Sequence, residues 1–471
     1  MSFITRRKPI DQVTVHDAAH RLRATLSWPH LMALGVGGIV GTGIYTLVGV
    51  GAGLAGPGVI VSFAIAGLVC ACAALAYAEM ATMMPAAGSA YTYSYVVLGE
   101  LLAWIVGWSL ILEYTVVCGA VSVGWSAHAA EFIQASGLPM PHALLAGPEA
   151  GGLINLPAVL ISLAVTALLV VGTRESATVN IILVVIKVAA LGVFVAIAAP
   201  AFEAAHFHPF APNGWSRETA EGMKLGIVPA ASLIFFAFYG FDTISTAAEE
   251  TRRPGRDLTI GIVGSMLLCT VIYMAVAAAA IGAAPVDAFA RSAAPLVYVL
   301  DALHRPFTAK IVAGAAVLAL PTVIMVFMYG QSRIFFVMAR DGLLPLRLAT
   351  VNARTGTPIV MTVVTGVVAA AIAGFLPLSQ IAELANAGTL AAFIAVATCM
   401  MILRVRDPAR PRPFRTPLPW LVGPLAVAGC LYLFANLPHL TQGWFTLWNL
   451  VGLAVYLLYG RRTSRLAATG A

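Results

Sequence analysis

The chain has very few charged residues for its length. Only 10% of its 471 residues are charged, whereas 60% are hydrophobic and the mean hydropathy is +0.91. Soluble globular proteins carry about 25% charged residues, because their surfaces have to be hydrated. The sequence also has no polar block long enough to form a soluble domain. These absences exclude an ordinary water-soluble fold and predict a single membrane domain with short polar tails.

Motifs of several other protein classes are missing. The six cysteines lie in apolar runs without metal-ligand spacing, so we expect free thiols and no metal or other cofactor. All nine histidines lie in tails, loops or near the ends of apolar runs, and no HExxH or GxSxG motif occurs within such a run. This argues against a membrane-embedded hydrolase, and therefore against an enzyme. The absence of a charged ring or carbonyl-filter repeat argues against a channel.

Long apolar runs are abundant. A helix needs about 20 apolar residues to cross the hydrocarbon core of a bilayer, and lipid tolerates only backbones that satisfy their own hydrogen bonds. Twelve runs meet this requirement, which predicts an all-α membrane protein with 12 transmembrane helices. They lie at residues 28–55, 57–83, 101–131, 153–172, 177–200, 225–248, 258–282, 307–338, 357–375, 380–403, 419–436 and 442–460.

The distribution of basic residues predicts the orientation. With twelve spans, both termini lie on one side, which carries 20 of the 27 lysines and arginines; the opposite side carries five. Because cytoplasmic loops are enriched in basic residues, we expect both termini in the cytoplasm. Residues 1–27 lack an apolar core of signal-peptide length, which predicts an uncleaved tail. The net charge of +7 is then explained by topology and anionic lipid headgroups, and we expect no nucleic-acid partner.

Two of the predicted spans have irregular centres. The first contains five glycines within the nine residues GVGGIVGTG, and each costs about 1 kcal/mol relative to alanine inside a helix. The sixth contains FFAFYGFD at 235–242. Gly43 and Gly240 are 197 residues apart, as are the starts of the two spans. This offset predicts two repeats of five helices, and because five is odd the second repeat must be inverted in the membrane.

Paired helix breaks suit one kind of substrate. An unwound segment exposes N–H groups at one half-helix N-terminus, which favour an anion, and carbonyls at the facing C-terminus, which favour a cation. An α-amino acid carries both charges on neighbouring atoms. The breaks therefore predict an amino acid transporter with its substrate near the midplane. Close helix packing is the other interpretation of the first span, because Gly37 and Gly41 have GxxxG spacing.

Lys187 and Glu113 lie deep within predicted spans, where ionisable groups are costly and usually functional. Lys187 lies 10 residues into the fifth span, about 15 Å from its start. Desolvation favours the neutral form of a buried lysine, so Lys187 could bind and release a proton during transport. The alternative is a fixed structural cation, paired with a buried carboxylate or with helix carbonyls. Glu113 could pair with Lys187, relay a proton or contact the substrate.

Other charged residues near the ends of spans have structural interpretations. Asp242 follows the break in the sixth span, and we expect it to cap the second half-helix. Arg333 and Arg340 lie towards the end of the eighth span. We expect them to anchor that end or to form an inner gate with Glu249 and Glu250.

Five segments carry a resemblance to one known family. They are LSWPHLMALGVGGIVGTGIY at 26–45, YAEMATMMPAAGSAYTYSYVVLGE at 77–100, FFAFYGFDTISTAAEE at 235–250, MARDGLLP at 338–345 and PFRTPLPW at 413–420. In this order they resemble the amino acid, polyamine and organocation (APC) superfamily, and within it bacterial members of the cationic amino acid transporter (CAT) type. The resemblance implies the five-plus-five inverted-repeat (LeuT-like) fold with two extra C-terminal helices, in the bacterial cytoplasmic membrane.

The resemblance also implies which residues form the site. Six residues at the two breaks would bind the substrate: backbone amides of Ile39, Thr42 and Gly43 its carboxylate, and backbone carbonyls of Phe236, Ala237 and Tyr239 its amine. Lys187 matches a lysine that, in proton-coupled relatives, occupies the region where sodium-coupled relatives hold an ion. Proton symport without sodium is the mechanism that this implies.

The substrate side chain is a separate question. The eighth-span stretch PTVIMVFMYG at 321–330 is mostly apolar, which favours small neutral amino acids such as alanine. A cationic amino acid (arginine, lysine or ornithine) or a polyamine is the alternative if Glu113 faces the cavity. Uniport and exchange are alternatives to symport.

The same reasoning divides the chain into parts. Residues 1–27 form the N-terminal tail, and residues 28–403 form the transporter core, with repeats at 28–200 and 225–403. Residues 404–471 hold the last two helices and the C-terminal tail. The sequence marks no surface for self-association and predicts no oligomeric state.

Overall fold

The described part of the chain is almost entirely helical. The computed structural model describes residues 6–13, 22–135, 141–148, 151–219, 224–292, 294–352, 354–376, 378–437 and 439–468. Twenty-one α-helices lie within these ranges: α1 (Trp28–Ile39), α2 (Thr42–Tyr45), α3 (Leu47–Ala55), α4 (Val59–Met83), α5 (Ser89–Val97), α6 (Glu100–Ala135), α7 (Leu156–Val171), α8 (Thr173–Ala198), α9 (Ile227–Ile234), α10 (Thr243–Thr246), α11 (Pro254–Thr259), α12 (Ser265–Ala283), α13 (Val286–Phe289), α14 (Pro295–Ala302), α15 (Pro306–Arg340), α16 (Ile359–Phe375), α17 (Leu378–Arg406), α18 (Pro419–Ala435), α19 (His439–Val455), α20 (Arg461–Thr463) and α21 (Arg465–Ala468). Strands β1 (Arg217–Glu218) and β2 (Lys224–Leu225) form an antiparallel pair.

Many of these helices are suited to a bilayer. Seven helical segments within the described ranges are long and apolar enough to cross a membrane: Leu47–Met83, Glu100–Ala130, Ser176–Ala201, Pro254–Ala283, Pro306–Arg340, Leu384–Arg406 and His439–Thr463. Four shorter apolar helices accompany them: Leu156–Val171, Ile227–Ala237, Ile359–Phe375 and Pro419–Ala435. Large apolar side chains such as Val185, Leu440 and Leu458 are more than half exposed. Such a surface faces lipid, and the protein is a multi-pass membrane protein, as its hydropathy predicts.

Both predicted helix breaks are present. In the first span, α1 ends at Ile39, Val40 is extended, and the helix resumes as α2 at Thr42. In the sixth span, α9 ends at Ile234 and is followed by a 3₁₀ turn. The helix resumes as α10 at Thr243. Gly240 lies in this second break with φ +116°, a conformation that glycine adopts without strain.

The two breaks lie against each other inside a bundle of longer helices. The helix α1 packs against α8, α12 and α15, and α9 packs against α3 and α4. The longest helices, α6 and α15, run along each other beside this pair, and α17 packs against α6. The bundle therefore surrounds the breaks with side chains from α6, α8, α12 and α15, and these helices supply the other residues of the site.

Candidate functional site

The broken segments meet at backbone distance. A Cβ atom built on Gly43 would lie 2.3 Å from the Cβ of Ala237, and one built on Gly240 would lie 2.8 Å from the carbonyl carbon of Gly38. Real Cβ atoms do not approach this closely, so glycine is required at both positions. The GxxxG interpretation and the unwinding interpretation of the first span are therefore compatible, since the same run of glycines permits the break and the close approach.

A small cavity lies beside this contact. It encloses about 240 Å³ of empty space and is lined from α6, α15 and the two breaks. Its lining residues are Gly38, Ile39, Gly41, Gly43, Val117, Val121, Phe236, Tyr239, Val323 and Phe327. Four residues that the sequence predicted as substrate contacts, Ile39, Gly43, Phe236 and Tyr239, thus surround one cavity. Thr42 is the first residue of α2, and its side chain lies outside the described residues.

Tyr273 links the two breaks and was not found by sequence analysis. Its hydroxyl lies 2.7 Å from the carbonyl oxygen of Ile39 and 3.0 Å from that of Ala237, so its single proton is shared between these two acceptors. The side chain is fully buried in α12. A buried phenol needs a hydrogen-bond partner, so a tyrosine inside an apolar span was the available signal. In this conformation the Ala237 carbonyl, predicted to face the substrate amine, accepts from Tyr273.

We expect Tyr273→Phe to weaken substrate binding without unfolding the protein. The variant removes the hydroxyl that holds two carbonyls of the breaks, and a buried hydrogen bond contributes about 0.5–1.5 kcal/mol, or roughly a threefold to tenfold change in Kd. Equilibrium binding of a labelled amino acid to the purified protein measures this effect. Tyr432→Phe is the matched control, because Tyr432 is half exposed on α18. Unchanged affinity in Tyr273→Phe would show that the link does not shape the site.

Lys187 binds the end of the first half-helix. Its Nζ donates to the carbonyl oxygens of Gly37 at 2.9 Å and Val40 at 2.6 Å, and to the Oγ1 of Thr322 at 2.7 Å. The last carbonyls of a helix lack partners within it and carry its partial negative charge, so they suit a cation. Lys187 is fully buried. The side chain therefore stabilises the break of the first span through helix carbonyls.

Glu113 lies elsewhere, and its predicted pairing with Lys187 is wrong for this conformation. Its Oε1 accepts a hydrogen bond from the hydroxyl of Thr389 on α17, and its Oε2 has no partner among the described residues. Glu113 is fully buried but does not line the cavity at the breaks; Val117, one turn further along α6, does. Glu113 on α6 and Lys187 on α8 thus have separate partners, which the sequence could not show.

Asp242 also differs from its prediction. Its side chain does not cap α10. One carboxylate oxygen instead accepts from the backbone N–H of Gly240 at 3.1 Å, and the other accepts from the hydroxyl of Tyr114. Asp242 therefore stabilises the break itself and connects it to α6, rather than the helix that follows.

The expected ion pairs at the end of α15 are confirmed. Arg333 pairs with Glu250 at 2.9 Å, and Arg340 pairs with Glu249 at 2.6 Å. All four side chains are at least nine-tenths buried. The ring of Tyr329 stacks on the guanidinium of Arg333, 3.7 Å from its carbon atom. These contacts hold the end of α15 to the segment after α10.

Comparison with known proteins agrees with this site. Residues 26–458 match the amino acid permease family. The chain belongs to this family. The permease is thereby a member of the amino acid, polyamine and organocation superfamily that the five segments resemble. It is a transporter rather than an enzyme.

Three relatives of the permease differ in their substrates. It is 42% identical to the branched-chain amino acid permease BcaP of Bacillus subtilis (strain 168), over 98% of this chain and 99% of the relative. It is 38% identical to the methylthioribose transporter of the same bacterium, over 99% of this chain and 100% of the relative. It is 36% identical to the vacuolar cationic amino acid transporter 4 of Arabidopsis thaliana, over 87% of this chain and 68% of the relative. The substrate has to be argued from the site.

Proposed function

We propose that this permease carries neutral α-amino acids with apolar side chains across the bacterial cytoplasmic membrane, by alternating access and in symport with protons. The apolar lining of the cavity at the breaks carries this proposal. Apart from backbone groups, that cavity is bounded by Val117, Val121, Val323, Phe236 and Phe327, with the phenol of Tyr239. A cationic side chain would be desolvated there without a carboxylate to pair with, which is costly.

The amino and carboxylate groups of the substrate are assigned to the breaks. The resemblance assigns them to backbone groups at Ile39 to Gly43 and at Phe236 to Tyr239, and Ile39, Gly43, Phe236 and Tyr239 line the cavity, which supports this assignment. Binding would place the substrate side chain towards α6 and α15, against the valines and Phe327. The name of the Bacillus subtilis relative specifies branched-chain amino acids, whose aliphatic side chains suit such an apolar lining.

The proposed topology has twelve spans in two inverted repeats. Reciprocal helix contacts support it: α6 contacts α17 where α15 contacts α8, and α6 contacts α16 where α15 contacts α7. Likewise α4 contacts α9 where α12 contacts α1. Exchanging residues 28–200 with 225–403 maps each contact onto its partner. The core is therefore 28–403, preceded by the tail at 1–27 and followed by helices and a tail at 404–471, with both termini in the cytoplasm.

Proton coupling is assigned to Lys187. Protonated Lys187 supplies three donors, and three acceptors surround it. The neutral amine has only two donors, so loss of the proton would release one of the contacts that hold the break in shape. Glu113, which has one carboxylate oxygen without a partner among the described residues, is the proposed second proton-binding group.

Uptake into proteoliposomes tests substrate and coupling together. Labelled leucine, alanine and arginine are offered without sodium, with and without an inward proton gradient, at a clamped membrane potential. We expect leucine and alanine uptake to rise with the gradient, and no arginine uptake. Arginine uptake that ignores the gradient would overturn both parts of the proposal and indicate a cationic facilitator. Leucine uptake that ignores the gradient would overturn the coupling alone.

A further inference from the structure

A second cavity lies next to the proposed coupling site. It encloses about 270 Å³ of empty space between α1, α7, α8 and α15 and is separate from the cavity at the breaks. Most of its lining is apolar, including Leu34, Leu169 and Met325. Three polar residues also line it: Ser176, Asn180 and Tyr329. It has room for about one ordered water molecule.

Asn180 is the unusual residue of this cavity. Its side chain is only 2% exposed, and neither its Oδ1 nor its Nδ2 has a hydrogen-bond partner among the described residues. Leaving a buried polar group unsatisfied costs free energy, and most such groups in proteins bond to protein atoms or to ordered water. A carboxamide offers both a donor and an acceptor, and Ser176 and Tyr329 line the same space. This combination suits bound water.

Asn180 and Lys187 face the same part of α1. They are seven residues apart on α8, which is two turns and about 10 Å along one face. Side chains tilt towards the N-terminus of their helix, so Lys187 extends towards Asn180. Both side chains meet Gly37: Lys187 donates to its carbonyl at 2.9 Å, and a Cβ built there would lie 2.8 Å from the Oδ1 of Asn180.

The other end of the cavity reaches the ion pairs at the end of α15. Tyr329 lines the cavity and stacks on Arg333, which pairs with Glu250. Around Lys187 itself, the nearby titratable side chains are Cys269 of α12 and Tyr45 of α2. The cavity thus borders Asn180, which lies two turns from Lys187 along α8, and Tyr329, which contacts Arg333.

We propose that this cavity holds ordered water bound by Asn180, and that the water carries protons between Lys187 and the side of the permease where the ion pairs lie. The proton leaves Nζ for a water oxygen, a second proton leaves the water for solvent beyond the ion pairs, and the lysine becomes a neutral amine. No group is oxidised or reduced. The inference rests on the proposed proton coupling, and it names Asn180 as a positioning residue.

Asn180→Leu tests the proposal. Leucine has the same number of side-chain heavy atoms as asparagine and a similar branched shape, but it binds no water. Proton-driven uptake of labelled leucine into proteoliposomes should fall by about tenfold or more, since a proton-transfer step loses its pathway. Exchange of labelled for unlabelled leucine without a pH gradient should remain near the wild-type rate, because exchange does not require the lysine to lose its proton. Met325→Leu, which lines the same cavity without changing a polar group, is the control.

A second variant acts from the opposite wall. Leu169→Phe fills the cavity from α7 and leaves Asn180 intact, so it tests the water if Asn180→Leu does not fold. It should give the same loss of proton-driven uptake with exchange retained. Wild-type proton-driven uptake in either folded variant would overturn the proposal, and so would equal loss of uptake and exchange, which indicates a structural role.

A density map of the wild-type protein separates this proposal from the proposed function. Water density within hydrogen-bond distance of the Asn180 carboxamide supports the water site, whatever the uptake assay shows. If uptake is independent of the gradient, the proposed coupling at Lys187 is wrong, and so is the proposed role of the water in proton transfer. A cavity without density, together with a higher melting temperature of Asn180→Leu, would overturn the water site itself, because removing an unsatisfied polar group from a dry cavity stabilises the fold.

Discussion

Gly43→Ala is expected to weaken amino acid binding while the protein still folds. The added methyl group would lie 2.3 Å from the Cβ and 2.5 Å from the Cα of Ala237, so the two breaks would have to separate. The obstructing atoms belong to or adjoin the backbone and cannot rotate away. Overpacking of this kind costs about 1–3 kcal/mol, which corresponds to a loss of about fivefold to 150-fold in affinity. Equilibrium binding of labelled leucine to the purified permease measures it.

Two other glycines provide matched controls. A Cβ atom built on Gly192 in α8 or on Gly314 in α15 would meet no atom within 4 Å. Gly192→Ala and Gly314→Ala should therefore bind leucine like the wild type, and melting curves should show that all three variants fold. Wild-type affinity in Gly43→Ala would contradict a substrate site at the contact between the breaks.

Lys187→Met is expected to remove the response of uptake to a proton gradient. A symporter that moves one proton per substrate accumulates substrate about tenfold for each pH unit of gradient, since one unit is worth 1.36 kcal/mol. Methionine has a similar length but no proton to release, so accumulation should fall to the level seen without a gradient. Lys187→Arg should behave in the same way, because arginine remains protonated. Accumulation of labelled leucine at a clamped membrane potential is the measurement.

The control for this prediction is Lys310→Met. Lys310 is an exposed lysine of α15, and its loss should leave gradient-driven accumulation unchanged. Exchange without a gradient should persist in Lys187→Met if the lysine serves coupling alone. Variants at Lys187 that fail to fold, with Lys310→Met folding normally, would instead support the structural-cation interpretation, since three acceptors at the break would lose their donor.

The sequence predicted the residues around the cavity better than it predicted the partners of the buried charged residues. Glycine spacing predicted both breaks, and the structure places Ile39, Gly43, Phe236 and Tyr239 around one cavity. Tyr273 was missed because a lone tyrosine in an apolar span has no motif around it. Its two acceptors are distant from it in sequence: Ile39 is 234 positions from Tyr273, and Ala237 is 36 positions from it.

The roles of buried charges were predicted less well. Lys187 was expected to meet either a carboxylate or helix carbonyls, and the structure selects the carbonyls. Asp242 was expected to cap the following helix, but its carboxylate turns back to Gly240 and across to Tyr114. The ion pairs of Arg333 and Arg340 were predicted correctly, because two arginines near a span end and two adjacent glutamates leave few other pairings.

The sequence by itself determined that this is a multi-pass helical membrane protein with two broken helices, and its motifs determined the superfamily. These properties follow from local quantities: the length of apolar runs, the helix cost of glycine and the order of short segments. Only the tertiary structure decided that Lys187 holds the end of α1, that Glu113 does not line the cavity at the breaks, and that Asn180, buried beside Gly37, has no partner among the described residues. Those facts depend on which helix faces pack against each other. The hydropathy of a membrane helix that is apolar on all sides does not indicate which helix it packs against.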